Sequence, residues 1–93
     1  MIVNFKCKET EKVFNGEWSS KLPLVIQKRA KLKLWSLNMA LIMNELRIPV
    51  SNYLEQLSGN RKGQYSIRIN EQWRICFEWH SNNAYNVEII DYH

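Results

Sequence analysis

From Tyr65 onward the apolar residues fall on odd numbers. Tyr65, Ile67 and Ile69 come first, then Trp73, Ile75, Phe77 and Trp79, then Tyr85, Val87 and Ile89. A strand turns successive side chains to opposite faces, so this period of two predicts an antiparallel meander whose odd face is core. The even positions Ser66, Arg68, Arg74, Cys76, Glu78, Asn86 and Glu88 then share a polar, partly basic face. The joints are polar turns at Asn70-Glu71-Gln72 and Ser81-Asn82-Asn83, and a basic one at Gly59-Asn60-Arg61-Lys62-Gly63. Asp91, Tyr92 and His93 close the last strand. Simple alternation sends Asp91 and His93 to the core face and only Tyr92 to the face of Arg74. A bulge at the adjoining Ile89 and Ile90 would reverse that phase; without it, or a last residue past the sheet rim, these groups do not form one site.

Upstream, Met1 to Cys7 reads as a short strand, suited by its lysine to a sheet edge. Lys8 to Phe14 has helical character, with Thr10 as a candidate cap and Gly16 as a stop. Pro23 opens the strongest helix, because a proline in the first turn lacks only an N–H that has no helical partner there. Ile26, Ala30, Leu34, Leu37 and Leu41 form its buried stripe, flanked by Leu22, Val25, Leu32 and Trp35. Lys28, Arg29, Lys31 and Lys33 read as a solvated face, with a nucleic-acid or partner surface as the alternative. Asn38 is a candidate break before a second short helix over 39–46, which Pro49 ends. Val50 to Asn52 is a loop, and Tyr53–Leu57 the first strand of the meander. The order is strand, two or three helices, then four strands, an α+β fold with helices packed on a mainly antiparallel sheet. The chain is expected to be one domain over residues 1–93.

Thirteen basic against nine acidic residues give a net charge of +4, which favours polyanionic partners. The excess is local: between 61 and 74 stand Arg61, Lys62, Arg68 and Arg74 against Glu71 alone. Cys7 and Cys76 sit at strand positions without metal-ligand spacing and are expected to be buried free thiols. No apolar run approaches the roughly 20 residues of a membrane helix, and the N-terminus lacks a signal-peptide layout. A cytoplasmic protein without a cofactor is expected. No P-loop, GxGxxG, CxxC or HExxH motif is present.

What remains is a set of groups able to act on a phosphodiester. Cleaving RNA without a metal requires removal of the 2′-OH proton, protonation of the leaving 5′-oxygen, and cations for the developing charge. His93 suits either proton role, since imidazole titrates near ~6.5. Arg68 and Arg74 suit the phosphate, and Glu55, Asp91 and Tyr92 supply further acid, base or orienting groups. The plainer alternatives are a cross-strand ion pair of Arg74 with Glu78 or Glu88, a core role for Tyr92 and a solvated His93.

The run LSGNRKGQYSIRINEQWRICFEW, followed by VEIIDYH, resembles the HigB toxins of the RelE/ParE superfamily of bacterial toxin–antitoxin systems. The resemblance spans most of the chain and rests on the order and spacing of its motifs. It implies a compact RelE-like microbial RNase fold and a toxin that cleaves mRNA on translating ribosomes. It also implies neutralisation by a HigA-like helix-turn-helix antitoxin, with operator DNA bound only through that complex. By resemblance Asp91, Tyr92 and His93 match the family's terminal catalytic group. Arg74 matches the arginine that follows the strand tryptophan, and Arg61, Lys62 and Arg68 would hold RNA backbone. Some members carry His where this chain has Glu55 and Lys where it has Ser58, so Glu55 stands as an alternative base. A toxin of the ParE kind, which binds DNA gyrase without nuclease chemistry, is the competing reading.

Overall fold

The computed structural model describes residues 1–92. The helices are α1 (Lys8–Phe14) and α2 (Leu24–Met39), and the strands are β1 (Glu55–Gln56), β2 (Gln64–Arg68), β3 (Trp73–His80) and β4 (Asn83–Asp91). The four strands form one antiparallel sheet in the order β1-β2-β3-β4. The expected first strand is present as two parallel bridges beside β4, Ile2 to Ala84 and Phe5 to Val87. Asn38 secures this edge segment: its Oδ1 accepts the Ile2 N–H at 2.9 Å. α2 ends one residue past Asn38, at Met39.

Both helices cover the odd face, as the α+β pattern predicts. Ile67, Ile75, Phe77, Val87 and Ile89 from the sheet join Val13, Ile26, Ala30, Leu34 and Leu37 from the helices in one buried cluster. Burial of this apolar area is the dominant favourable term for such a fold. The stripe fails at Leu41, which is 74% exposed. The chain leaves the helix at Ala40, whose ψ of 128° is extended, and Leu41 never reaches the helical face. Val25, Leu32 and Trp35 are also largely exposed, so the buried stripe is narrower than expected. Beyond Ala40 the expected α-helix is a 3-10 turn, Met43–Arg47, followed by a second at Val50–Asn52. The strand expected over 53–57 shortens to Glu55–Gln56.

Thr10 is a helix residue rather than a cap, and its buried Oγ1 accepts the Ile89 N–H at 2.9 Å, tying α1 to β4. Gln27 is likewise buried and holds the loop between the helices. Its Nε2 donates to the carbonyls of Ser19 and Leu22, and its Oε1 accepts the Ser19 N–H.

The alternation breaks once, inside β4. The register runs from Cys76–Glu88 to Glu78–Tyr85, so β4 carries one extra residue there. Asn86, with φ of 53°, sits in this bulge. Its amide donates to Glu78 Oε2 at 2.9 Å. The phase flips behind it: Ala84 is fully buried, and Tyr85 opposes Glu78 rather than joining the core. The bulge considered at Ile89–Ile90 is absent, because Ile75–Ile89, Arg74–Ile90 and Trp73–Asp91 pair without interruption.

Candidate active site

Arg74 stands directly opposite Arg68 across β2 and β3. Like charges facing one another across strands are destabilising, and here each guanidinium is held by neutral acceptors of its own. Arg68 bends toward the β2–β3 turn, where its Nε donates to the Asn70 carbonyl at 3.0 Å and its guanidinium lies 4.9 Å from the Tyr53 ring centroid. Arg74 turns into the sheet. Its Nε donates to Ser66 Oγ at 2.7 Å and its Nη2 to the Tyr53 carbonyl at 2.5 Å. Its Nη1 stands 3.7 Å from Glu55 Oε1, and the Tyr92 ring lies 5.7 Å from its Cζ.

The face expected to be wet is therefore closed over its centre. Ser66, Arg74 and Cys76 are all buried. Leu57, two residues beyond Glu55 and so on the same side of β1, is buried outside the helix-facing cluster. A guanidinium with Nε and Nη2 committed to fixed acceptors loses little freedom on binding an anion. Nη1 faces only a long contact to a half-exposed carboxylate. Neither Glu78 nor Glu88 pairs with Arg74 among the described residues, which removes that alternative. Tyr92 is 38% exposed and packs on Arg74, so it is not a core residue.

Ser66→Ala should leave a buried charged donor without its acceptor. A loss of about 1–3 kcal/mol is expected, readable as a lower midpoint in urea denaturation with an unchanged slope.

Other expected site residues are placed differently. Asp91 opposes Trp73 and so belongs to the face away from Arg74. It lies exposed at the end of β4, where Gln72 Nε2 donates to its Oδ2 at 3.1 Å. Arg61 is turned to Glu88 at 3.0 Å, with Gln64 also in reach, and Lys6 adds a second cation to Glu88 at 3.7 Å. The Arg61 charge is thus already partnered, whereas Lys62 is exposed on the turn. His93 lies outside the described residues. The second histidine, His80, sits with Glu78 and Tyr85 at the far end of the β3–β4 hairpin.

Two residues that the sequence reading gave no part in a site build this one: Asn52, read as loop, and Tyr53, read as the start of a strand. Tyr53 has φ of 43° and ψ of 57°, a left-handed conformation that costs a non-glycine residue about 1–2 kcal/mol. Asn52 holds it there: this buried side chain donates to the Leu46 and Ile48 carbonyls and accepts from Lys33 Nζ. The sole signal available upstream was an asparagine beside an aromatic residue, which is common to many turns.

Cys76 is a free thiol beneath this face, and burial pushes its pKa up to about 11. Only about one molecule in a thousand would carry the thiolate at pH 8. Thiol titration of the folded protein at that pH should leave Cys76 unmodified until denaturant is added. Cys7, expected to be buried like it, is only partly so.

A protein-family model described as the RelE-like toxin HigB of type II toxin–antitoxin systems matches residues 3–93. Toxin HigB-1 of Vibrio cholerae is 38% identical over 87 residues, 92% of each chain. Endoribonuclease HigB of Proteus vulgaris is 31% identical over 93 residues and covers the whole of both. An uncharacterized protein of Haemophilus influenzae is 33% identical over 72 residues, 77% of this chain and 71% of its own.

Proposed function

Since the chain belongs to the HigB-like toxins of type II toxin–antitoxin systems, we propose that it is an endoribonuclease that cuts mRNA on the translating ribosome. The name of the Proteus vulgaris relative supports the nuclease reading. The observation that carries it in this molecule is the fixed Arg74 guanidinium, held between Tyr92 and the Tyr53 backbone with Nη1 turned to an exposed carboxylate.

In this reading the scissile phosphate displaces Glu55 from Nη1. Arg74 then stabilises the charge that builds on the phosphoryl oxygens as the 2′-OH attacks. The P–O5′ bond breaks, leaving a 2′,3′-cyclic phosphate and a 5′-hydroxyl. His93 moves the proton, either from the 2′-OH or to the leaving oxygen. Asp91 orients His93 from the end of β4, and Tyr92 offers its ring to a neighbouring base. Glu55, once displaced, is the nearest carboxylate able to take the other proton role.

Membership of a type II system implies an antitoxin partner. A HigA-like helix-turn-helix antitoxin is the expected form, carrying the complex to operator DNA. The toxin would work in the cytoplasm; no described helix is long and apolar enough to cross a membrane.

A cell-free translation reaction tests the reading. The purified protein should cut a reporter mRNA into discrete fragments when ribosomes are translating it, and leave it intact without them. Intact mRNA in both, together with loss of DNA gyrase supercoiling activity, would transfer the assignment to the gyrase-binding class.

A further inference from the structure

A cleft of about 620 Å³ lies between α2 and the β2–β3 turn, and Ser51 and Tyr53 also line it. This volume is within the range of small-ligand sites. Its walls carry three cations, Arg29, Lys33 and Arg68, against one acid, Glu71. None of the three cations has an ion-pair partner among the described residues. Each is held by a neutral acceptor instead: Arg29 Nη1 donates to the Ile69 carbonyl at 3.3 Å, Lys33 Nζ to Asn52 Oδ1, and Arg68 Nε to the Asn70 carbonyl. Arg61, Lys6 and Lys12, by contrast, all have carboxylate partners.

Cations gathered in a concave, low-dielectric wall focus a positive potential. Burial, and then the charge of Arg29, hold the Lys33 pKa below the usual lysine value. Arg29 and Lys33 are four residues apart on α2 and so share one helix face. The hydroxyls of Ser36 and Ser51 add donors suited to phosphate oxygens. The cleft also runs into the site already described. Arg68 lies over Tyr53, whose carbonyl accepts from Arg74.

We propose that this cleft is a phosphate subsite, holding the backbone of the RNA strand that flanks the bond bound at Arg74. This inference rests on the RNA-cleaving reading of the Arg74 site. It assigns to Arg29 and Lys33, rather than Arg61, the grip on the neighbouring nucleotide. Single-stranded nucleic acid is commonly held by a basic groove beside exposed aromatic rings, and the exposed Tyr53 lines this cleft.

A 2′-O-methyl oligoribonucleotide of about eight residues separates binding from cleavage, because it lacks the attacking hydroxyl. Its affinity is measured over a range of salt for the wild type, for Arg29→Gln with Lys33→Gln, and for Lys8→Gln with Lys31→Gln as a control of equal charge loss. The cleft variant should bind at least about tenfold more weakly at low salt, and its log–log salt slope should fall by about 1.4, some 0.7 for each lost phosphate contact. The control should keep the wild-type slope. Equal losses in both variants, or none in the cleft variant, would overturn the subsite.

Amide shifts in the wild type check the placement without any variant: Ser36, Ser51 and Asn70 should move saturably with the oligonucleotide. Binding that leaves all three unmoved sinks the proposal even if the protein cleaves mRNA. Shifts there in a protein that cuts no mRNA would sustain the subsite and end the nuclease reading.

Discussion

Arg74→Lys should keep the protein folded and reduce mRNA cleavage by about 10²–10³-fold, whereas Arg74→Ala should impair both folding and cleavage. The difference follows from how the guanidinium is held. Its Nε and Nη2 serve Ser66 Oγ and the Tyr53 carbonyl, while Nη1 alone faces Glu55. A lysine ammonium is a single point of charge and cannot reproduce a planar fork that meets three acceptors at once. It can hold one of them and remain charged, which keeps the buried site tolerable. Alanine removes every donor and the packing of the stem, and it strands the serine hydroxyl and the tyrosine carbonyl. Hydrogen bonds to a charged group are worth about 1.5–3 kcal/mol each, so a loss of about 3 kcal/mol is expected. For a chain of this size that lowers the melting temperature by roughly 12 °C or more. Thermal melts beside a cleavage assay read both effects. A lysine variant that melts normally and cleaves at the wild-type rate would exclude Arg74 from the chemistry.

The second large effect is expected at His93. His93→Gln should remove about 10²–10⁴ of the cleavage rate, the usual contribution of a positioned acid or base. Glutamine retains hydrogen-bonding capacity but does not titrate. The rate of the wild-type protein should therefore show a pH-dependent limb that the variant's residual rate lacks. A variant that keeps both the rate and the limb would move the proton role to Glu55 or Asp91.

The sequence was most legible where one physical pattern acted alone. In β2 and β3 the period of two separated Ile67, Ile75 and Phe77 from Ser66, Arg74 and Cys76, because a strand allows no other arrangement. It misled at Tyr85, since the positive φ of Asn86 inserts an extra residue that alternation cannot anticipate. The α2 stripe was correct through Leu37 and failed at Leu41, where helical spacing continues in the sequence but the helix does not.

The candidate site divides in the same way. Arg74 and Tyr92 were legible from their place in the strand pattern, and the structure brings them together. Glu55 also reaches Arg74 because β1 pairs with β2 opposite Ser66. Asn52 and Tyr53 were not legible as site residues, and Arg29 and Lys33 were read first as a solvated helix face, with a nucleic-acid or partner surface as the alternative. They come from the turn before β1 and from α2, and only tertiary packing sets them beside Arg68. The polar face was predicted in the right place but not in the right state. Arg74 closes over Ser66 within it, and burial of this kind is a property of contacts rather than of composition.

Primer extension on an abundant mRNA after brief induction, comparing the wild type with His93→Gln and Arg74→Lys, shows whether this protein cuts mRNA through these two residues. Discrete cuts inside translated codons for the wild type, lost or greatly weakened in both variants, are the predicted result. Intact mRNA from all three while the wild type still arrests growth would contradict it.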